Sequence, residues 1–182
     1  MILIFPTDTV YGIGTPIFDI DGINKIYEIK HRSKDKPLAC LCANLKQIED
    51  IAVVDDNARK LINDFLPGPL TVILESKSEV FDKIGYKTIG VRIPNHKLAI
   101  SLLEEHGPML TTSVNESGEA SLNDYNEIKK IYGNVVDLIY NDDEASSSIA
   151  STVVMIIGGE VKVLRSGSIT EEMILKSIKE TK

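Results

Sequence analysis

The sequence predicts an α/β fold, a single domain over residues 1–182 built as one twisted, mixed β-sheet flanked by helices, with a cationic ligand cleft. Three observations carry that reading. Short β-rich runs alternate with segments of helical period for most of the chain. A tight hairpin signal comes late, at Gly158-Gly159, and adds an antiparallel pair to the alternating pattern. Apolar residues make up 43% of 182 residues, enough for one core but not for several.

In order, Ile2 to Phe5 reads as the first strand. Pro6-Thr7-Asp8-Thr9-Val10-Tyr11-Gly12-Ile13-Gly14 follows as a loop rich in hydroxyls and flexible backbone, able either to face a ligand or to serve as a polar turn. Asp21 is the expected N-cap of a helix that sets Ile23, Ile26, Tyr27 and Lys30 on neighbouring turns. Lys30, Arg32, Lys34 and Lys36 then recur with period two. On an extended segment that spacing sends all four side chains from one face, a cationic comb that serves as an anion site or as a solvated loop. Pro37 turns Lys36 away from helical geometry, and Leu38 to Ala43 is expected as a buried strand.

Asn44-Leu45-Lys46-Gln47 resembles a capping box opening a short helix, and a second helix runs from about Asn57 to Phe65, where Pro67-Gly68-Pro69 stops it. Leu70 to Leu74 and Thr88 to Ile93 are strands joined by a polar connection. His96 to His106 is a helix ended by Gly107. Met109 to Thr112 is a strand that enters a second hydroxyl cluster, Ser113 to Ser121. Asp124 caps a helix closed by Gly133, Val135 to Tyr140 is a strand, and Asn141 to Ala150 is a polar linker. Ser151 to Ile157 and Val161 to Arg165 flank the hairpin, and Thr170 caps the terminal helix.

Composition narrows the function. With 27 acidic against 20 basic residues the net charge is −7, which disfavours a broad duplex-binding surface and suits a small anionic ligand in a local cationic cleft. No apolar run approaches the roughly 20 residues that span a bilayer, and the start lacks a basic n-region, so a cytoplasmic protein without membrane contact is expected. Cys40 and Cys42 lie two apart in a strand, on one face, and read as buried thiols that do not bond each other.

The chain lacks the phosphate-loop and dinucleotide glycine motifs and also lacks G-x-S-x-G and H-E-x-x-H, which leaves cations and hydroxyls as its distinctive equipment. Such groups stabilise charge developing on phosphoryl oxygens and fix orientation without a covalent intermediate. Arg92, at a strand end, can take a carboxylate or phosphate bidentately or make a surface ion pair. The Pro6–Gly14 loop, the comb, Arg92, the Ser113–Ser121 loop and Arg165 are all expected beyond strand ends, where ligands gather in α/β sheets.

Six blocks in these stretches resemble the TsaC/YrdC family, the L-threonylcarbamoyladenylate synthases that supply the activated group for N6-threonylcarbamoyladenosine (t6A) in tRNA. They are Pro6 to Gly14, Lys30-x-Arg32 with Lys36-Pro37-Leu38, Pro67-Gly68-Pro69-Leu70-Thr71, Val91-Arg92-Ile93-Pro94, Ser113-x-Asn115-x-Ser117-Gly118-Glu119, and Ser151-Thr152 with Leu164-Arg165-x-Gly167. The resemblance implies a YrdC-like domain and a nucleotidyltransferase converting L-threonine, bicarbonate and ATP to threonylcarbamoyl-AMP and pyrophosphate. It places ATP near Lys30, Arg32, Lys36, Thr88, Ser113, Asn115, Ser121 and Arg165, with Lys30, Arg32, Ser113 and Asn115 catalytic. L-Threonine falls near Thr9, Arg92, Thr111 and Ser151. It also implies Mg2+ carried by the nucleotide rather than a protein metal site, downstream tRNA threonylcarbamoyltransferase proteins as partners, and weak RNA binding as a further partner class.

Two departures from the family pattern matter. Ile2-Leu3-Ile4-Phe5 opens the chain where family members usually carry a helix before the first strand, so either a less covered sheet face or a truncated start is expected. Leu41 stands where longer homologues often carry a histidine facing threonine, and their additional C-terminal domain has no counterpart here. Two other readings compete: an RNA-binding or ribosome-associated module using the same groove, and carbamoyl transfer of the hydrogenase-maturation kind. The Asn141–Ser148 segment is expected to act as a lid or as an uninvolved linker.

Overall fold

A computed structural model describes residues 1–142 and 149–179. The chain runs β1 (Leu3–Phe5), β2 (Gly12–Pro16), α1 (Ile20–Ile29), β3 (Ala39–Leu41), α2 (Leu45–Ile51), α3 (Asp56–Phe65), β4 (Leu70–Glu75) and α4 (Ser78–Ile84). It continues through β5 (Thr88–Arg92), α5 (Lys97–His106), β6 (Met109–Ser113), α6 (Tyr125–Tyr132), β7 (Leu138–Ile139), β8 (Thr152–Ile157), β9 (Glu160–Arg165) and α7 (Glu171–Lys179). The strands form one mixed sheet in the order β7-β1-β2-β6-β3-β5-β4-β8-β9. β1 with β7, β3 with β5 and β4 with β8 are parallel; the other neighbours are antiparallel.

Local chemistry sets most boundaries. Asn44 accepts from the Gln47 amide while the Gln47 side chain accepts from Ala43, a reciprocal cap displaced by one residue from the expected box. Asp124 accepts from Glu127 N–H. Gly158 and Gly159 both carry positive φ, 59° and 80°, as a two-residue hairpin turn requires.

Five expectations are corrected. Asp19, not Asp21, caps α1, its carboxylate accepting from Gly22 N–H, while Asp21 sits in the first turn where negative charge also favours the helix dipole. Gly12 and Gly14 belong to a strand, since β2 pairs with β1 on one side and β6 on the other. The polar connection between β4 and β5 holds α4, anchored by the buried Val80. The Val135–Tyr140 strand shrinks to Leu138–Ile139. The strand from Leu38 to Ala43 shortens to Ala39–Leu41. The lid expected at Asn141–Ser148 lies mostly outside the described residues.

The sheet separates two environments by strict alternation. On one face Ile4, Ile13, Leu110, Cys40, Val91, Ile89, Val72, Leu74 and Val154 join the main core with residues of α1, α2, α3, α4, α6 and α7. Both cysteines are buried there as free thiols, and burial pushes the Cys40 thiol well above its usual pKa. On the other face Leu3, Phe5, Leu41 and Met109 pack with Ala99, Leu102 and Leu103 of α5. On this face α5 closes over β1, with Phe5 fully buried. Beyond α5 that same face is open.

Candidate functional site

The open part of the sheet face is a cavity of about 510 Å³, within the range of small-ligand sites. Its floor consists of the residues that alternate with the core: Thr111 and Ser113 of β6, Ala39 and Leu41 of β3, Thr88, Gly90 and Arg92 of β5, and Thr71 and Ile73 of β4. The site therefore lies across the sheet rather than beyond strand ends. Its walls come from Thr7 to Gly12, the turn after α1, the Ser113–Ser121 loop, and Ser151 with Arg165.

Glycines make room for the floor. A Cβ on Gly14 would lie 2.6 Å from Thr111 Oγ1, and one on Gly12 would lie 2.7 Å from Thr111 Cγ2. Backbone of β2 can approach Thr111 this closely only without side chains. Thr111 donates to Met109 O at 3.1 Å, which fixes its hydroxyl on the floor. Thr71 stands beside Gly90 in the same way, and its hydroxyl pairs with that of Ser151 at 2.8 Å.

Arg92 is buried, not a surface ion pair. Its Nε donates to Gly68 O at 3.0 Å, Nη1 to Thr9 Oγ1 at 2.8 Å and Nη2 to Asp8 Oδ1 at 2.5 Å. Asp8 also accepts from Asn95 N–H, so both loops that meet β5 fix this carboxylate. Burial draws the Arg92 pKa down and the Asp8 carboxylate opposes the shift, which leaves a rigid guanidinium edge on the cavity. Arg165, close enough to Arg92 for their charges to interact, donates from Nε and Nη2 to Ser151 O, at 3.0 and 2.8 Å, and from Nη2 to Ser151 Oγ at 3.2 Å, and thereby holds the Ser151 hydroxyl over the floor.

The expected cationic comb does not form. Lys30 ends α1 in helical geometry, His31 takes a positive φ of 47°, and the next residues turn instead of extending. The four cations consequently diverge. Lys30 is 1% exposed, and Nζ donates to Ser113 O, Asn115 O and Asn115 Oδ1 at 2.6, 2.5 and 2.8 Å. Burial, then the charge of Arg32, lower its pKa to about 8. Its three donors are spent on the 113–115 loop. Ser113 Oγ donates to the same Asn115 Oδ1, and Asn115 Nδ2 donates to Glu119 O, so Lys30 organises this loop from behind. Lys34 reaches back to Asn24, and Lys36 is exposed. Of the four, only Arg32 lines the cavity.

Of the residues singled out from sequence, Thr9, Arg32, Thr88, Arg92, Thr111, Ser113, Asn115, Ser121, Ser151 and Arg165 line the cavity, whereas Lys30 and Lys36 do not. Sequence reasoning gave no individual site role to Thr7, Thr71, Gly90 or Asp8, and took Thr7 and Asp8 only as part of the Pro6–Gly14 loop. A signal for three of them was present in the alternation of Leu70-Thr71-Val72-Ile73-Leu74 and Thr88-Ile89-Gly90-Val91-Arg92, and in the hydroxyl-rich Thr7-Asp8-Thr9.

The open face of this mixed α/β sheet thus brings Arg32, Arg92 and Arg165 together with hydroxyls, an arrangement that suits a small polar anion. A family model described as telomere recombination, the Sua5/YciO/YrdC domain, matches residues 1–167, and the chain belongs to that family. A Methanocaldococcus jannaschii protein provisionally named threonylcarbamoyl-AMP synthase is 36% identical over 168 residues, 92% of this chain and 80% of its relative. The Bacillus subtilis threonylcarbamoyl-AMP synthase is 33% identical over 178 residues, covering 95% of this chain and 51% of its own. The crystal structure of Pyrococcus abyssi Sua5 complexed with L-threonine superposes with a TM-score of 0.87 at 32% identity, over 98% of this chain and 54% of that one. The chain spans about half the length of these last two proteins.

Proposed function

We propose that the chain is an L-threonylcarbamoyladenylate synthase, a cytoplasmic nucleotidyltransferase that joins L-threonine, bicarbonate and ATP into threonylcarbamoyl-AMP with release of pyrophosphate, for t6A formation in tRNA. The observation that carries this reading is the likeness over 98% of the chain to a structure holding L-threonine, combined with a cavity that has two cationic ends. Arg92, Thr9, Thr111 and Ser151 form the end suited to an amino-acid carboxylate and hydroxyl. Arg32, Ser113, Asn115, Ser121 and Thr88 form the end suited to a nucleotide, with Arg165 beside Ser151 between them.

The product defines two new bonds. The threonine nitrogen joins the bicarbonate carbon as water leaves, and an oxygen of the resulting carbamate displaces pyrophosphate from the α-phosphorus. Arg92 is fixed by Asp8 before substrate arrives, so it orients the carboxylate at little further entropic cost. Arg32 faces the developing charge on the leaving pyrophosphate. Lys30 contributes indirectly by holding the Ser113 and Asn115 backbone. Mg2+ would enter with the ATP phosphates and be ligated there. The product is a mixed anhydride that hydrolyses readily, which calls for direct transfer to tRNA threonylcarbamoyltransferase proteins.

Pyrophosphate release from ATP and bicarbonate with L-threonine, L-serine and L-valine in turn tests the reading. Threonine should exceed serine, and both should exceed valine, because an isosteric methyl leaves the polar groups that read the hydroxyl unpaired. Equal turnover of threonine and valine would sink the threonine assignment, and no release with any of them would sink the synthase.

A further inference from the structure

The turn that carries Arg32 is held by two phenols outside the cavity. Leu38 N–H donates to Tyr86 Oη at 3.2 Å, the Tyr86 and Tyr27 oxygens lie 2.9 Å apart, and Tyr27 Oη donates to Lys36 O at 3.2 Å. A backbone amide only donates and a carbonyl only accepts, so the ends of this chain assign both phenolic protons: Tyr86 donates to Tyr27, and Tyr27 to Lys36 O. Burial, then the Tyr86 hydroxyl, raise the Tyr27 pKa, which keeps the relay protonated.

The same Lys36 carbonyl accepts Arg32 Nε at 2.8 Å, and Pro37 O accepts Arg32 Nη2 at 3.2 Å. The carbonyl is therefore a junction: one side receives the phenol relay, the other the guanidinium that lines the cavity. Tyr27 comes from α1 and packs in the main core. Tyr86 comes from the connection ahead of β5, two residues before the cavity residue Thr88. Besides the phenols, the exposed turn of Ser33, Lys34, Asp35 and Lys36 is tied to α1 by Arg32 N–H donating to Tyr27 O and by Lys34 donating to Asn24, neither of which reaches the Lys36 carbonyl that holds the Arg32 side chain.

We propose that Tyr86 is a positioning residue for Arg32, acting through Tyr27 and the Lys36–Leu38 backbone. Part of the test rests on the synthase reading and part does not. In the substrate-free protein, the Arg32 Nε–H resonance should exchange with solvent about five- to tenfold faster in Tyr86→Phe and in Tyr27→Phe than in wild type, as expected for loss of about one hydrogen bond's restraint. Unchanged exchange in both variants overturns the proposal. Each change removes a single oxygen, and a thermal melt of the two variants verifies that the fold survives.

In the pyrophosphate assay, Tyr86→Phe should lower kcat/KM for ATP by about the same factor and leave the KM for L-threonine unmoved. Tyr86→Phe combined with Arg32→Ala should be no worse than Arg32→Ala alone, because a residue acting through Arg32 has nothing to position once that side chain is gone. Losses that multiply would assign Tyr86 a merely structural role and overturn the proposal. If wild-type protein releases no pyrophosphate, the synthase reading falls, and the exchange measurement still upholds or overturns the role of Tyr86.

Discussion

The two faces of the central sheet are written by the same strands. Toward the helices β4, β5, β6 and β2 present Val72, Leu74, Ile89, Val91, Leu110 and Ile13, which close-pack into the main core. Toward the cavity they present Thr71, Gly90, Arg92, Thr111 and Gly12, small or polar groups that leave a volume unfilled and bring hydroxyls and a guanidinium to its floor. Stability and ligand recognition are thus divided by residue parity along each strand. Neighbours one position apart should therefore respond oppositely to substitution.

The largest effect should come at Arg92, whose charge is buried on the cavity face. Arg92→Met leaves the Asp8 carboxylate without its partner and should cost about 3–5 kcal/mol in denaturant unfolding while abolishing threonine-dependent turnover. Adding Asp8→Asn should restore much of the stability and none of the turnover. Recovery of both would show that Arg92 is structural alone.

Leu110→Ala, one residue from Thr111 but on the core face, should cost about 2–5 kcal/mol with KM for both substrates near wild type in the folded fraction. A specific rise in the threonine KM would break the parity rule. Thr71→Val sharpens the rule from the other side. It conserves volume but removes one of two partners of the Ser151 hydroxyl, the other being Arg165 Nη2, so a stability change of about 1 kcal/mol should accompany a larger loss in kcat/KM for threonine.

The smallest effect is one of pH and concerns Lys30, which belongs to neither face. Its folded pKa of about 8 lies below the ordinary 10.5. Between those values the unfolded chain binds the extra proton, so this group's contribution to stability rises with pH from 8 to 10.5 and is constant below 8. Over the same interval the amine has one donor fewer for its three acceptors, and the Ser113–Asn115 loop loosens. ATP affinity followed by calorimetry should fall with a midpoint near 8 while the melting temperature does not, and Lys30→Met should abolish that midpoint. A parallel fall of affinity and melting temperature would place the tie in the general fold.

Much of this was legible because it is local. The Asn44 and Asp124 caps, the Gly107 stop, the Gly158-Gly159 turn and the amphipathic Asp56–Phe65 helix each depend on neighbours within a turn, and those neighbours stand in the sequence. The motif blocks identified the family for the same reason, as did the assignment of Arg92 to a strand. What local pattern misjudged was direction. The period-two spacing of Lys30 to Lys36 promised a shared face, but α1 runs one residue into the run and His31 reverses the backbone, so the pattern has no strand on which to act.

Most of the strand and helix order, though not β2 or α4, and the inventory of cations and hydroxyls can be read along the chain. Which of those groups meet is settled by the folded sheet. Lys30 is turned inward by carbonyls 83 and 85 residues away, Arg92 is neutralised by a carboxylate 84 residues away, and Arg32 is steadied by Tyr86 through a turn that neither sequence neighbourhood describes alone. A buried charge takes its place from whatever acceptors enclose it, and those are supplied by chain closure across the sheet, which no periodicity near the charge can express.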